Sequence, residues 1–384
     1  MMVMPLGPDF ARALGIPTSQ LGLVGGSYTA AAAVAGVAGA LFLDRFDRRS
    51  ALIFALGGLF LGTAAGGLAW DLPSMMAARL LAGAFGGPAT SLSLSIVADL
   101  VPPERRGRAL GTVMGAFSIA AVLGVPLGLE LAHLGGWRTP FFAVAVLGLA
   151  VAAGARALLP PLRAHLARGV APSVLPRMRP VVLLSLACTA SAMMASFALV
   201  PNLAAWLQFN AGWPRERLGL LYMAGGAVTF FSMRIAGRLV DRFGSPRVGA
   251  GATVLFVAVL AAAFLPARPA LPVVLVFVGF MLGNSTRNVS LSSLATRVPL
   301  PDERARFLSV QSAAQHLASA AGAVLSTRLL SEGPGGRLVG VERVALFTMA
   351  LALALPLLLP LIQARVLRAE REARAAREAH TPAV

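Results

Sequence analysis

Three arginines, Arg79, Arg234 and Arg287, stand inside stretches that are otherwise free of charge. A guanidinium has five donors, no acceptor and a charge it cannot lose. In apolar surroundings it binds anions, pairs with carboxylates or stacks on aromatic faces. Arg287 is the deepest, ten residues before Arg297, or about 15 Å by helical rise. Asn284 and Asn288 flank it at spacings of three and one. Gln311 and Gln315 share a helix face at i, i+4, with His316 beside them. With Arg79 and Tyr28 these side chains are the candidates to line a midplane cavity for substrate or coupling. Each has a plainer use: Arg79 snorkels to an interface, Asn and Gln bond between helices, and Tyr anchors at the membrane surface. His316, with an ordinary pKa near 6.5, is a candidate proton relay.

Other chemistries are excluded. The chain has no lysine, so all 33 basic residues are arginine. That removes the P-loop and, with it, ATP-driven pumping by this chain alone. One cysteine, Cys188, permits neither an internal disulfide nor a cysteine-rich metal site. The four histidines form no HExxH, and there is no GxSxG elbow. No catalytic residue, cofactor or metal site is expected, and the chain does not read as an enzyme.

The elements that must position these residues are membrane helices. Of the 384 residues 57% are hydrophobic and 13% charged, too greasy for a water-soluble domain. About 20 apolar residues span a bilayer core. Eleven runs free of Asp, Glu and Arg qualify in outline: 13–43, 50–70, 80–98, 109–129, 139–155, 180–214, 218–233, 248–267, 269–286, 307–327 and 344–364. The first and sixth are longer than one crossing, and Pro201–Asn202 predicts that the seventh helix ends or bends there. Alternate connections are rich in arginine, 22 against 8 in the intervening ones. By the positive-inside rule the first set, and the C-terminus, are cytoplasmic. The net charge of +17 is therefore a topology signal, and nucleic-acid binding is not needed to explain it. Counting back from a cytoplasmic C-terminus leaves residue 12 outside, so the pattern reads as twelve helices with the first one truncated.

The chain also repeats. DRF occurs at 44–46 and 241–243, and PERRGR at 103–108 matches PDERAR at 301–306, offsets of 197 and 198. Both pairs fall in equivalent cytoplasmic connections. This gives two parallel six-helix bundles, 1–159 and 180–367, joined by a basic linker 160–179 and followed by a charged tail 368–384. Parallel repeats around a midplane site are a transporter plan. Gly83/Gly87, Gly107/Gly111/Gly115, Gly124/Gly128 and Gly279/Gly283 recur every four residues, the spacing that lets helices approach closely in lipid. Pro126 is a candidate hinge in the fifth helix.

At these residues the sequence resembles the major facilitator superfamily, whose signature between the second and third helices is of the G-x-x-x-D-R-x-G-R-R type. The second copy, GRLVDRFGSPR at 237–247, is the fuller one; in the first, ALFLDRFDRR at 40–49, Ala40 and Asp47 replace two glycines. MPLGP at 4–8, GAFGG at 83–87, ERRGRALG at 104–111, LGVPLG at 123–128 and FLSVQSAAQ at 307–315 narrow the likeness to the arabinose-efflux-like permeases among the drug/proton antiporters. In that subgroup an acidic first-helix stretch, FxHxxDFMxM, precedes MPLGP; this chain starts inside it.

The resemblance implies a conformational latch. Asp44 would cap the eleventh helix near Glu303–Arg306, since a helix N-terminus favours negative charge. Asp241 would do the same for the fifth, near Arg105–Gly107. Arg48 would pair with Asp99, with Arg45, Arg242, Arg106 and Arg304 as the flanking cations. The bland alternative is that these residues are positive-inside anchors. The implied function is proton-coupled efflux of a small amphipathic solute, drug or sugar-like, by alternating access. The chain would be a monomer in a bacterial inner membrane, with lipid, the solute and protons as its partners. Uptake or uncoupled facilitation is one alternative; a non-transporting membrane receptor or scaffold is another.

Overall fold

The computed structural model describes residues 2–102, 105, 119–163, 177–266, 270–300 and 303–379, without the side chains of 40–42, 44, 98, 121, 304–305 and 373–379. It is almost wholly helical. The short α1 (Gly7–Leu14) is followed by α2 (Leu21–Phe42), α3 (Arg48–Gly67) and α4 (Leu72–Leu100). A π-turn at Ala120–Gly124 leads into α5 (Val125–Gly135), and then α6 (Thr139–Leu158). After the linker come α7 (Pro180–Ala205), α8 (Leu218–Phe243), α9 (Ser245–Phe264), α10 (Val273–Ala295) and α11 (Arg304–Leu329). A small hairpin, β1 (Ser331–Glu332) with β2 (Leu338–Val339), precedes α12 (Val341–Ala352) and α13 (Ala354–Ala379). Among the described residues, eight helices are long and apolar enough to cross a membrane.

The packing has the symmetry of a parallel repeat. Adding six to each helix number carries α2–α4 onto α8–α10, α3–α4 onto α9–α10 and α3–α6 onto α9–α12, and all six pairs pack together. The contacts between halves follow the same rule, α2 against α11 and α5 against α8. Glycine makes the closest of these approaches possible. A Cβ at Gly22 would strike the carbonyl oxygen of Ala323, and at Gly83 and Gly87 it would strike those of Tyr28 and Ala32. Gly107, Gly111 and Gly115 lie outside the described residues.

Proline shapes two helices. Pro126 offers no N–H, and the preceding turn relaxes into the π form with the Val125 amide on the Ala120 carbonyl. Of the two outcomes expected at Pro201, an end or a bend, the end does not occur. The helix continues to Ala205 and then a π-turn, Trp206–Asn210. Asn202 helps hold it, donating to Ala198 O at 3.2 Å and to Ser326 Oγ of α11 at 3.0 Å.

The apolar core is divided unevenly between the two ends. At the end away from the DRF segments one cluster runs through both halves, taking in Leu6 and Phe10 of α1, Val125 and Leu129 of α5, Leu203 of α7, Leu218 of α8 and Phe277 of α10. At the arginine-rich end the described apolar residues form two separate clusters. Leu52, Leu92 and Ile96 pack in the first half, and Val182, Leu294, Phe307 and Leu359 in the second.

Candidate functional site

The intramembrane polar residues concentrate in the second half. Arg287 projects from α10 and is 2% exposed. Its guanidinium carbon lies 4.5 Å from the centre of the Phe256 ring on α9. Nε, Nη1 and Nη2 have no hydrogen-bond partner among the described residues. Gly283, one turn earlier, brings α10 against the backbone of Phe256 and fixes that ring in place. The other polar groups nearby satisfy one another. Ser196 Oγ of α7 donates to Asn284 Oδ1 at 2.7 Å, Gln311 Nε2 of α11 reaches Thr189 Oγ1 at 3.4 Å, and Ser232 and Ser285 hydroxyls lie 2.7 Å apart. Asn288, Gln315 and His316 are half-buried.

In the first half the corresponding pair is simpler. Arg79 of α4 is half-buried, its guanidinium carbon 4.6 Å from the centre of the Tyr28 ring on α2. In the second half, Arg234 of α8 is exposed and lies over Phe230 of the same helix at 3.8 Å.

The predicted latch residues are placed as follows. Arg48 Nη1 lies 2.6 Å from Asp99 Oδ2, joining α3 to α4 within one half. Arg45 is exposed; the Asp44 side chain, the Arg304 side chain and Arg106 lie outside the described residues. Asp241 and Arg242 are exposed. Asp241 opens on a cavity of about 320 Å³ shared with Ser245, Ser293, Arg297 and Gln363, all of the second half. Glu303, expected near Asp44, is 3% exposed and faces Arg177 and Arg179 at 3.7 and 3.6 Å, which ties the start of α11 to the start of α7.

The first DRF turn ends in Asp47, the N-cap of α3. Its partial burial would raise the pKa, but the Leu162 amide, the Arg163 guanidinium and the Arg49 and Ser50 amides all donate to it. Together they hold the carboxyl below its usual range. Asp71 plays the same part for α4 at the opposite end, where Ser74 donors lower it.

The strongest polar link between the halves was missed in the sequence. At the end away from the DRF segments, Arg215 before α8 grips Asp9 of α1 with three contacts, Nε to Oδ1 at 2.7 Å, Nε to Oδ2 at 2.9 Å and Nη2 to Oδ2 at 2.6 Å. Beside it the Thr18 amide donates to Glu332 Oε2 at 2.5 Å and its hydroxyl donates to Gly336 O at 3.0 Å. Arg12 lies over Phe209 at 5.6 Å. These contacts join α1 and the α1–α2 connection to the α7–α8 connection and the hairpin, and they seal that end. No local spacing signals them, because the hydrogen-bonded partners stand 206 to 318 residues apart.

The family model of the Major Facilitator Superfamily matches residues 1–323 and, in a second match, 185–381. The chain belongs to this superfamily. It is 29% identical over 344 residues to a chloramphenicol resistance protein of Streptomyces lividans, covering 87% of this chain and 86% of that one. It is 28% identical over 264 residues to the inner membrane transport protein YdhP of Escherichia coli K12, covering 68% of each. Among solved structures, a D-xylose–proton symporter aligns with TM-score 0.69 at 18% identity, covering 92% of this chain and 91% of that one. A bacterial homologue of the lysosomal transporter Spinster aligns with TM-score 0.67 at 17% identity, covering 96% and 93%. This chain is a multi-pass membrane transporter, not an enzyme, and its superfamily membership implies a bilayer and a small-molecule substrate.

Proposed function

We propose that this transporter exports a small amphipathic solute across a bacterial inner membrane by alternating access, with its arginine-rich end and its C-terminus in the cytoplasm. The carrying observation is the outer clasp of Asp9 on Arg215, flanked by Thr18 on Glu332. It closes one end, so release to the outside requires the halves to part there. The glycine-lined contact of α2 with α11 gives them a smooth surface to rock on. The resistance protein's name supports the outward direction, and the Asp44 and Asp241 turns are the proposed inner counterparts of the clasp, with the Arg48–Asp99 pair bracing the first of them within its own half.

Exchange for protons is the form of coupling we propose first. Uncoupled facilitation is the second reading. It is favoured by the acidic residues of the described spans, which lie within two turns of the span ends, away from the midplane.

A cysteine pair at positions 9 and 215, in a chain carrying Cys188→Ser, tests the gate. Bridging the pair with a short bifunctional thiol reagent should stop efflux of chloramphenicol from preloaded cells, and cleaving the bridge should restore it. Undiminished efflux with the bridge intact overturns the gate, and no efflux from cells carrying the natural chain overturns export of this solute class. A pH step that leaves flux unchanged in proteoliposomes decides for the uncoupled form.

A further inference from the structure

Among the largest fully buried side chains of the molecule, Arg287 is the one that carries a charge. A guanidinium stays ionised inside a protein, and a buried charge without a partner is strongly unfavourable. The Phe256 face offsets part of that cost. No carboxylate of this chain is paired with it among the described residues; nearby, Asn284 Oδ1 accepts from Ser196, Gln311 Nε2 reaches Thr189 and the Ser285 hydroxyl meets that of Ser232. The charged donors left unpaired are those of Arg287, a planar fork that fits a bidentate acceptor-only group. The wall on that side is aromatic: the Phe256 ring under Arg287 has the Phe280 ring 5.4 Å away, centre to centre.

We infer that Arg287 is the anchor for a monovalent organic anion, a carboxylate or sulfonate carried on an apolar body. This rests on the transport reading above and adds an anionic class to the solutes it carries. One guanidinium balances one negative charge, so a dianion would leave a surplus in the same apolar setting. The inference also bears on the driving force. An anion leaving the cytoplasm runs with an inside-negative membrane potential, so its export needs no titrating acid at mid-membrane.

Benzoate and its neutral isostere benzamide separate charge from shape. In thermal unfolding of the purified full-length chain, benzoate should raise the midpoint saturably and benzamide should not. Arg287→Gln should weaken benzoate at least tenfold, and Arg287→Lys, which keeps the charge but not the fork, should weaken it less. The empty Arg287→Gln protein should unfold at a higher temperature than the natural one, because an uncompensated charge has left the interior. A residue that merely held helices together would lower it. Equal effects of benzoate and benzamide, an unchanged benzoate affinity in Arg287→Gln, or a fall in its unfolding temperature would each overturn the inference. Sodium chloride at matched ionic strength is the remaining arm: stabilisation equal to that by benzoate overturns the organic ligand in favour of a small inorganic ion. Efflux of benzenesulfonate from proteoliposomes should quicken when valinomycin sets an inside-negative potential, and indifference to potential overturns the electrogenic step. Benzoate binding without any flux would sink the export reading alone. Chloramphenicol efflux without benzoate binding would sink the anion site alone.

Discussion

α4 and α10 are the same helix in the two repeats, and each carries one intramembrane arginine, but at different depths. The offset of 197 to 198 residues places Arg79 opposite Val276 or Phe277, and Arg287 opposite Ala89 or Thr90. The two arginines are thus about three turns apart along equivalent helices, or about 15 Å. Arg79 is near the end away from the DRF segments, half-buried with its guanidinium over the Tyr28 ring. Arg287 lies toward the arginine-rich end, 2% exposed, in a setting with three interhelical polar pairs around it. The first half keeps its charge near one end of the helix; the second half has a polar frame deeper along it. A repeat supplies two copies of a scaffold, and here the copies have diverged in what they carry.

The largest test of that contrast is to give the first half what the second half has. Ala89 is 4% exposed and packs with Leu52, Ala55, Leu92 and Ile96. Ala89→Arg would bury a charge there with no such frame, at a cost of about 3–5 kcal/mol. The expected outcome is little or no monodisperse protein extractable from membranes, together with a sharply lowered unfolding temperature in whatever is recovered. A variant that folds like the parent would show that the polar setting of Arg287 is not special.

The DRF turns provide a second, smaller contrast. The offset carries Asp47 onto Gly244. Asp47 caps α3 with its carboxylate, at a backbone φ of −56°. Gly244 precedes α9 at φ +83°, ψ 152°, a region that side chains avoid, and no side chain caps that helix. The same turn is therefore made by a side-chain cap in one half and by backbone freedom in the other. Gly244→Ala should cost about 1–3 kcal/mol through strain, and Asp47→Ala about 1 kcal/mol through a lost cap. Thermal unfolding of the two variants side by side checks the order; a larger loss at Asp47 would reverse the assignment.

Much of this was legible in the sequence. Membrane helices announce themselves because a 30 Å apolar layer demands long unbroken runs, and the doubled DRF segment reveals the repeat because both copies stand at the junction between equivalent helices, α2–α3 and α8–α9. Arg287 was conspicuous by its depth, Asn284 and Asn288 by their spacing to it, and Gln311 by its spacing to Gln315. What spacing could not show was pairing. Asp9 and Arg215 look like ordinary charges at helix ends until the fold brings them together across the two halves. Phe256 was one of 20 phenylalanines until α9 laid it under Arg287. Pro201 left open whether the helix ends or bends; a buried helix with Asn202 bonded to Ser326 runs on through it.

The smallest expected effect concerns Asp47 alone and follows from the sign of its shift. Its hydrogen bonds from Leu162, Arg163, Arg49 and Ser50 lower the carboxyl in the folded protein relative to the unfolded chain. A lowered carboxyl contributes stability above its unfolded pKa and loses that contribution as pH falls through the folded value. The tether between the start of α3 and residues 162–163 should therefore persist through the ordinary carboxylate range and fail only in more acidic solution. Amide hydrogen exchange at Leu162 and Ser50, corrected for the intrinsic pH dependence, should show constant protection down to that point and a loss below it. Asp47→Asn should remove the acid-dependent step, since the amide cannot titrate. The second half offers the control within the same molecule. Gly244 has no carboxylate, so exchange at the start of α9 should show no Asp47-like step, and an equal acid response at both turns would mean that the tether is not what titrates.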